Sequence, residues 1–192
     1  MKKLIFLFGV WLMLLSGTSV PQGGINFAPK QLNKELSKIF NSIEFQLIEI
    51  HTTKVSSLEG KYFKIQNNHN LVGYLYIGRV ESCRTGVCLA PQEGQQSISE
   101  YFDYFMIFDS IPKIKSVKVF NYAATHGQEV TAKGWLKQFI GYSGNSKLTV
   151  GKNVDAISGA TVSVAGIVTD IEIKTNLLLT SVNGQQTTLN GQ

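Results

Sequence analysis

The order of predicted elements makes this an α+β chain, an antiparallel sheet with helices packed against it. Three observations carry that expectation. Residues 71–80, 101–108 and 113–122 have strand length and either alternate or are aromatic on both faces. The last two are separated only by a short stretch around Pro112, which suits a hairpin and therefore antiparallel pairing. Helical periodicity is concentrated near the two ends of the chain, in the Leu32 to Ile43 and Val164 to Ile171 regions.

Taken in order, the chain opens with a segment of secretory form at 1–19. Lys2 and Lys3 precede an apolar run over 4–15, and the small residues Ser16, Gly17, Thr18 and Ser19 follow. The run is shorter than the roughly 20 residues that span hydrocarbon, so a cleaved signal peptide is expected, with a retained anchor as the alternative. Thr18 stands where a bacterial lipoprotein would need cysteine, which excludes lipidation by that route. Export predicts an extracytoplasmic location, periplasmic or membrane-associated. Removing Lys2 and Lys3 lowers the net charge from +5 to +3. The remaining lysines are scattered along the sequence, and no nucleic-acid partner is expected. The hydrophobic fraction of 43% and charged fraction of 16% are those of a globular chain, here of one main domain.

Residues 20–70 read as a lead-in. Leu32, Leu36, Ile39, Phe40 and Ile43 define one face of a helix over 30–42; a strand is expected from Phe45 and Leu47, with 48–55 as its continuation, and a turn falls at 67–70. Cys83 and Cys88, the only cysteines, are predicted to form a disulfide in an exported chain, closing a small loop that Gly86 helps to turn. A redox-active or metal-linked pair is the rival reading, although two thiolates alone make a poor metal site.

The strand over 101–108 places Phe102, Tyr104, Met106 and Phe108 on one face and Tyr101, Phe105 and Ile107 on the other, the pattern of a central strand. In 113–122, Val117 and Val119 alternate with Lys118 and Phe120. Trp135, Leu136, Phe139 and Ile140 predict a short helix that ends at Gly141. Val164, Ile167, Val168 and Ile171 give the clearest amphipathic helix, expected to begin near Ser158 as N-cap. From 181 to 192 the apolar pattern fades and a flexible tail is expected.

The stretch Asp155-Ala156-Ile157-Ser158-Gly159-Ala160-Thr161 stands immediately before that last helix. Unpaired N–H groups and the positive end of the dipole favour an anion at a helix start, with Gly159 and Ala160 leaving room for a phosphate. An ordinary capped helix start has the same residues, so this spacing alone leaves both readings open. The stretch resembles the flavinylation motif Asp-x-x-Ser/Thr-Gly-Ala-Thr of the FMN-binding domain family, which includes the covalently flavinylated subunits of sodium-pumping NADH:quinone reductase and Rnf-type complexes. A second stretch, Tyr122 to Val130 followed by Trp135 to Gly141, resembles the same family in order and spacing. The resemblance covers roughly 71–176, and the domain is drawn at 71–180.

That resemblance implies FMN attached to Thr161 as a phosphoester by a separate flavin transferase. It also implies backbone contacts from Ser158, Gly159 and Ala160, and an orienting or recognition role for Asp155. The loop of Thr125, His126 and Gly127 would form the opposite wall; it stands where the carrier subunits show Glu-Thr-Pro-Gly, so only Gly127 keeps the family's turn. Function is then expected to be electron relay between membrane or periplasmic redox proteins through covalent FMN. A flavin-dependent reductase of a small molecule and a flavin-free binding module are the alternatives. The sequence contains no Gly-x-Gly-x-x-Gly fingerprint after a strand, no metal-ligand cluster and no Ser-His-Asp order.

Overall fold

In the computed structural model, the structure describes residues 23–51, 60–82 and 100–189. The expected signal segment and the Cys83–Cys88 pair lie outside the described residues. Helix α1 (Lys30–Phe40) is followed by strands β1 (Gln46–Ile50), β2 (Gly60–Asn67), β3 (Asn70–Glu81), β4 (Tyr101–Asp109) and β5 (Ile114–Tyr122). A 3-10 turn (Gln128–Thr131), the short helix α2 (Lys133–Leu136) and a second 3-10 turn (Lys137–Phe139) precede the long helix α3 (Thr161–Leu189).

All five strands join one antiparallel sheet in sequence order, each hydrogen-bonded to the next. The β2–β3 connection is a two-residue hairpin turn. Asn68 and His69 hold φ values of 47° and 64°, the left-handed pair that matches the twist of the flanking strands and that asparagine tolerates best among residues with a side chain. The α+β architecture expected from the sequence is the one found.

Strand β4 explains the layering. Phe102, Tyr104, Met106 and Phe108 enter one core together with Val164, Ile167, Val168 and Ile171 of α3, while Phe105 and Ile107 enter a second core with Leu32 and Leu36 of α1. The sheet is thus sandwiched, α3 and the 128–139 turns on one face and α1 on the other. Helix α3 is tied down by polar contacts as well. Tyr104 Oη donates to Asp170 Oδ2 at 2.6 Å, Asp170 Oδ1 lies 3.8 Å from Lys174 Nζ, and Tyr62 Oη donates to the Lys174 carbonyl at 2.8 Å. Burial, reinforced by the charge of Asp170, pushes the Tyr104 phenol far above its ordinary range, so it stays a neutral donor.

Four differences from the sequence reading have physical causes. Helix α1 stops at Phe40 because Asn41 turns into the left-handed region at φ 51°, and Ile43, expected on the helix face, is 89% exposed. Strand β2 was not anticipated, because Lys61, Lys64 and Gln66 dilute its apolar signal; Lys61 answers Glu49 of β1 across the pair at 2.9 Å. The lead-in is therefore part of the sheet. Helix α3 continues through 181–189, where a flexible tail was expected, since nothing from Ser181 to Leu189 breaks a helix outright. The fourth difference, the start of α3, belongs to the site.

Candidate functional site

The strands end where the sequence motifs begin. Antiparallel order brings the end of β3, the start of β4 and the end of β5 to one rim of the sheet, and α3 starts above it. There Ser82, Glu100, Thr125, His126, Gly159, Ala160, Thr161, Val162 and Ser163 line a cleft of about 390 Å³, within the usual range for small-ligand sites.

Helix α3 begins at Thr161, not near Ser158, and this corrects the expected cap. Gly159, at φ 82°, completes a turn in which Ala160 N–H donates to the Ile157 carbonyl at 3.2 Å; the first intrahelical bond runs from Val164 N–H to the Ala160 carbonyl at 2.9 Å. Ala160 is therefore the residue at the helix boundary, and its side chain is buried in the core. Ser158 and Gly159 are exposed in the turn. Space for a Cβ at Gly159 is open, so glycine serves the backbone angle there and not close approach. The shift places Thr161 at the first helical position, exposed, among N–H groups that helix geometry leaves without intrahelical acceptors.

Asp155 is held by its backbone. Its N–H donates to Gln138 Oε1 at 2.7 Å and its carbonyl accepts from Trp135 Nε1 at 2.8 Å. The carboxylate makes no hydrogen bond or ion pair among the described residues and faces solvent. Trp135 thus packs on the core edge-to-face with Phe139, ring centroids 5.3 Å apart, and clamps the motif with its indole N–H. Upstream, the loop is fixed by Thr149 N–H to Asn153 Oδ1 at 2.7 Å and by Leu148 N–H to Glu172 Oε2 of α3 at 2.9 Å.

The opposite wall is the loop after β5. Tyr122 Oη donates to the His126 carbonyl at 2.5 Å and lies 3.0 Å from Ser163 Oγ, which in turn is 2.6 Å from Ser82 Oγ. The carbonyl can only accept, so the Tyr122 proton is committed to it. Ser163 must then donate to Tyr122, and Ser82 to Ser163. This one-way hydroxyl chain ties β3, β5, the loop and the first turn of α3 together. Gly127 sits against it, at φ 90°; a Cβ there would lie 2.5 Å from Ser163 Oγ and 3.1 Å from Tyr122 Oη. Glu100 accepts from the Thr125 hydroxyl and, at 3.4 Å, from the Thr125 N–H, which turns its carboxylate toward the loop.

Of the residues singled out in the sequence, the fold brings Thr125, His126, Gly159, Ala160 and Thr161 into one cleft. Gly127 lies buried behind it, and Ser158 and Asp155 lie outside the lining. His126 is exposed and fixed through its carbonyl, leaving the ring unrestrained by that bond. Ser82 and Glu100 were missed, and Tyr122 and Ser163, which border the two sequence stretches, were given no role in the site. Only the fold brings them together, since Ser82 lies far from Ser163 in sequence and stands in no recognisable motif.

A phosphate-bearing ligand fits this donor set at the helix start: open N–H groups, an exposed threonine hydroxyl, a small-residue turn, and a wall kept close by Gly127. Among the described residues no group of acids, histidines or cysteines could hold a metal ion, and no helix is long and apolar enough to cross a membrane. Comparison with known proteins agrees with the phosphate-ligand geometry. Residues 102–172 match the model of the FMN-binding domain family; the chain has no match among curated proteins. The matched stretch runs from β4 through the loop of Gly127 and the motif of Thr161 into α3, and the domain built on it belongs to the FMN-binding domain family.

Proposed function

We propose that Thr161 carries FMN as a phosphoester and that the domain relays electrons between membrane or periplasmic redox proteins outside the cytoplasm. The observation that carries the reading is the position of Thr161: the first residue of α3, exposed, opening on the cleft, with the helix N-terminus behind it. Bound FMN would supply the redox chemistry, and the chain supplies attachment, orientation and electrostatics.

The residues divide that work by location. Thr161 Oγ1 would bond to the FMN phosphorus as the bond from that phosphorus to the nucleotide monophosphate of a flavin dinucleotide donor breaks, the hydroxyl proton leaving to the transferase, and the N–H groups of Thr161, Val162 and Ser163 would then stabilise the phosphate charge. Gly159 sets the turn that presents the hydroxyl. His126 and Thr125 form the facing wall, held by Tyr122 and Glu100. Asp155, displayed to solvent by the Trp135 and Gln138 clamp, is placed to be read by a flavin transferase before the cleft is filled.

Attachment is tested by co-expressing the chain with a flavin transferase and examining the denatured protein for flavin fluorescence. Wild-type and Thr161→Ser protein should fluoresce after denaturation, because both keep a hydroxyl at that position. Thr161→Ala should not. Fluorescence that survives in denatured Thr161→Ala protein would place the bond elsewhere.

A further inference from the structure

The lysines that look scattered in sequence are gathered by the fold. Lys38 of α1, Lys115 and Lys118 of β5, and Lys133 and Lys137 of the α2 segment all line one groove of about 210 Å³. Glu35 is the one carboxylate among the lining residues. It is already committed, accepting from Lys118 Nζ and, at 3.3 Å, from Ser116 Oγ. Lys115, Lys133 and Lys137 make no ion pair among the described residues and are exposed. The groove also has an apolar component, Ile39, Val117, Leu136 and the half-exposed Ile140.

We propose that this groove is a docking surface for an acidic, protruding segment of a partner protein. Charge complementarity is the first argument, since several unpaired lysines converge where a single, neutralised carboxylate stands. Shape is the second. The surface is concave, with Leu136 almost fully buried at its floor, so a chain carrying Asp or Glu beside an apolar side chain can enter where a flat bilayer reaches only the rim. A bilayer would meet Ile43 and Ile111, 89% and 84% exposed, and neither lines the groove. Residue type is the third argument: lysine gives point charges that steer association without the bidentate geometry of arginine, which suits a reversible encounter. Lysines on an edge strand such as β5 also discourage strand pairing, but that role does not account for Lys38, Lys133 and Lys137 on helical segments.

The location gives the contact a consequence. The segment that carries Lys133, Leu136, Lys137 and Ile140 into the groove also carries Trp135 and Gln138, which hold the backbone of Asp155. An occupant would therefore touch the piece of chain that braces the motif. The proposal does not rest on the flavin, and the unflavinylated chain should bind as well as the flavinylated one.

The test is NMR titration of the full chain, with and without flavin, using a synthetic glutamate- and leucine-containing peptide and, separately, phosphatidylglycerol vesicles. Amide shifts with the peptide should be confined to 35–39, 115–118 and 133–140 and should vanish at about 1 M salt, where screening acts within about 3 Å. The double variant Lys115→Glu/Lys133→Glu should bind the peptide about tenfold more weakly, while Lys147→Glu/Lys152→Glu, also exposed, should stay within about twofold of wild type. Equal weakening by the two double variants would overturn the proposal, as would shifts spread over the whole surface. Vesicle binding that perturbs Ile43 and Ile111 while the peptide leaves the groove unmoved would replace the protein partner with a membrane. Failure in any of these ways leaves attachment at Thr161 untouched, because that is read separately by denatured-state fluorescence.

Discussion

At the scale of single residues, Gly127 is where a one-carbon change should cost most. Alanine would have to adopt a φ near 90° and push its Cβ to 2.5 Å from Ser163 Oγ, in the middle of the hydroxyl chain that joins four parts of the cleft. Gly127→Ala should destabilise the fold by about 1–3 kcal/mol, measured as a lower urea midpoint at unchanged slope, and should reduce flavin retention with it. Thr161→Ala should behave in the opposite way: its side chain is exposed, so stability should move by less than about 0.5 kcal/mol while covalent flavin disappears. The two variants separate a residue that shapes the cleft from the one proposed to carry the ligand. Thr161 and Gly127 stand inside short motifs, so the sequence singled them out. Glu100 and Ser82 were not legible, since polar residues at strand ends carry no local signal until pairing brings the ends together, and Ser163, in the first turn of α3, reads as an ordinary helix residue until the fold sets it against Ser82 and Tyr122.

At the scale of elements, the rim that carries the cleft is braced by a polar rung across three strands. Asp103 of β4 is 1% exposed and accepts from Arg79 Nε at 2.7 Å, Arg79 Nη2 at 3.1 Å and Asn121 Nδ2 at 2.8 Å. Arg79 and Asn121 are its direct neighbours on β3 and β5, and Arg79 also lies over the Tyr101 ring at 3.6 Å. Arg79→Ala would leave a buried carboxylate without its cation and should cost about 3–5 kcal/mol in thermal or denaturant unfolding. Arg79→Lys should recover only part of it, because an ammonium cannot reproduce the paired donors. Helix α1 supplies a pH-dependent term. Burial would raise the Glu35 carboxyl, but the hydrogen bond and charge of Lys118 outweigh it and hold the group below its ordinary value of 4.5. A depressed folded-state pKa means stability present above the unfolded value and lost as pH falls through the folded one. Wild type should therefore lose more stability than Glu35→Gln as pH is lowered below about 4.5, read from unfolding midpoints across that range.

Elements also show where sequence reading succeeds and why it stops. The two faces of β4 were legible because its side chains alternate between two apolar cores, and α1 was legible to its last turn. Strand β2 was obscured by Lys61, Lys64 and Gln66, of which Lys61 finds its partner, Glu49, on the neighbouring strand. The start of α3 was displaced because Gly159 uses its backbone freedom to make one more turn before the helix, a choice that Ser158, a good cap residue, conceals.

At the scale of the whole molecule, the sheet has two differently equipped regions: a rim with the cleft, and the β5 side with the basic groove. No described residue forms a dinucleotide-binding fingerprint, so the flavinylated protein should be reduced promptly by dithionite or by a redox partner and only slowly by NADH. Rapid, saturable NADH oxidation by the purified protein alone would favour a reductase over a relay. Attachment at Thr161 is read without intermediaries from the intact mass of the protein purified from its own host, followed by fragmentation of the peptide containing Asp155 to Thr161. Attachment there gives a mass greater than the processed chain by FMN less one water, with the addition on Thr161. An unmodified mass from a host with an active flavin transferase, or the same addition mapped to another residue, would contradict it.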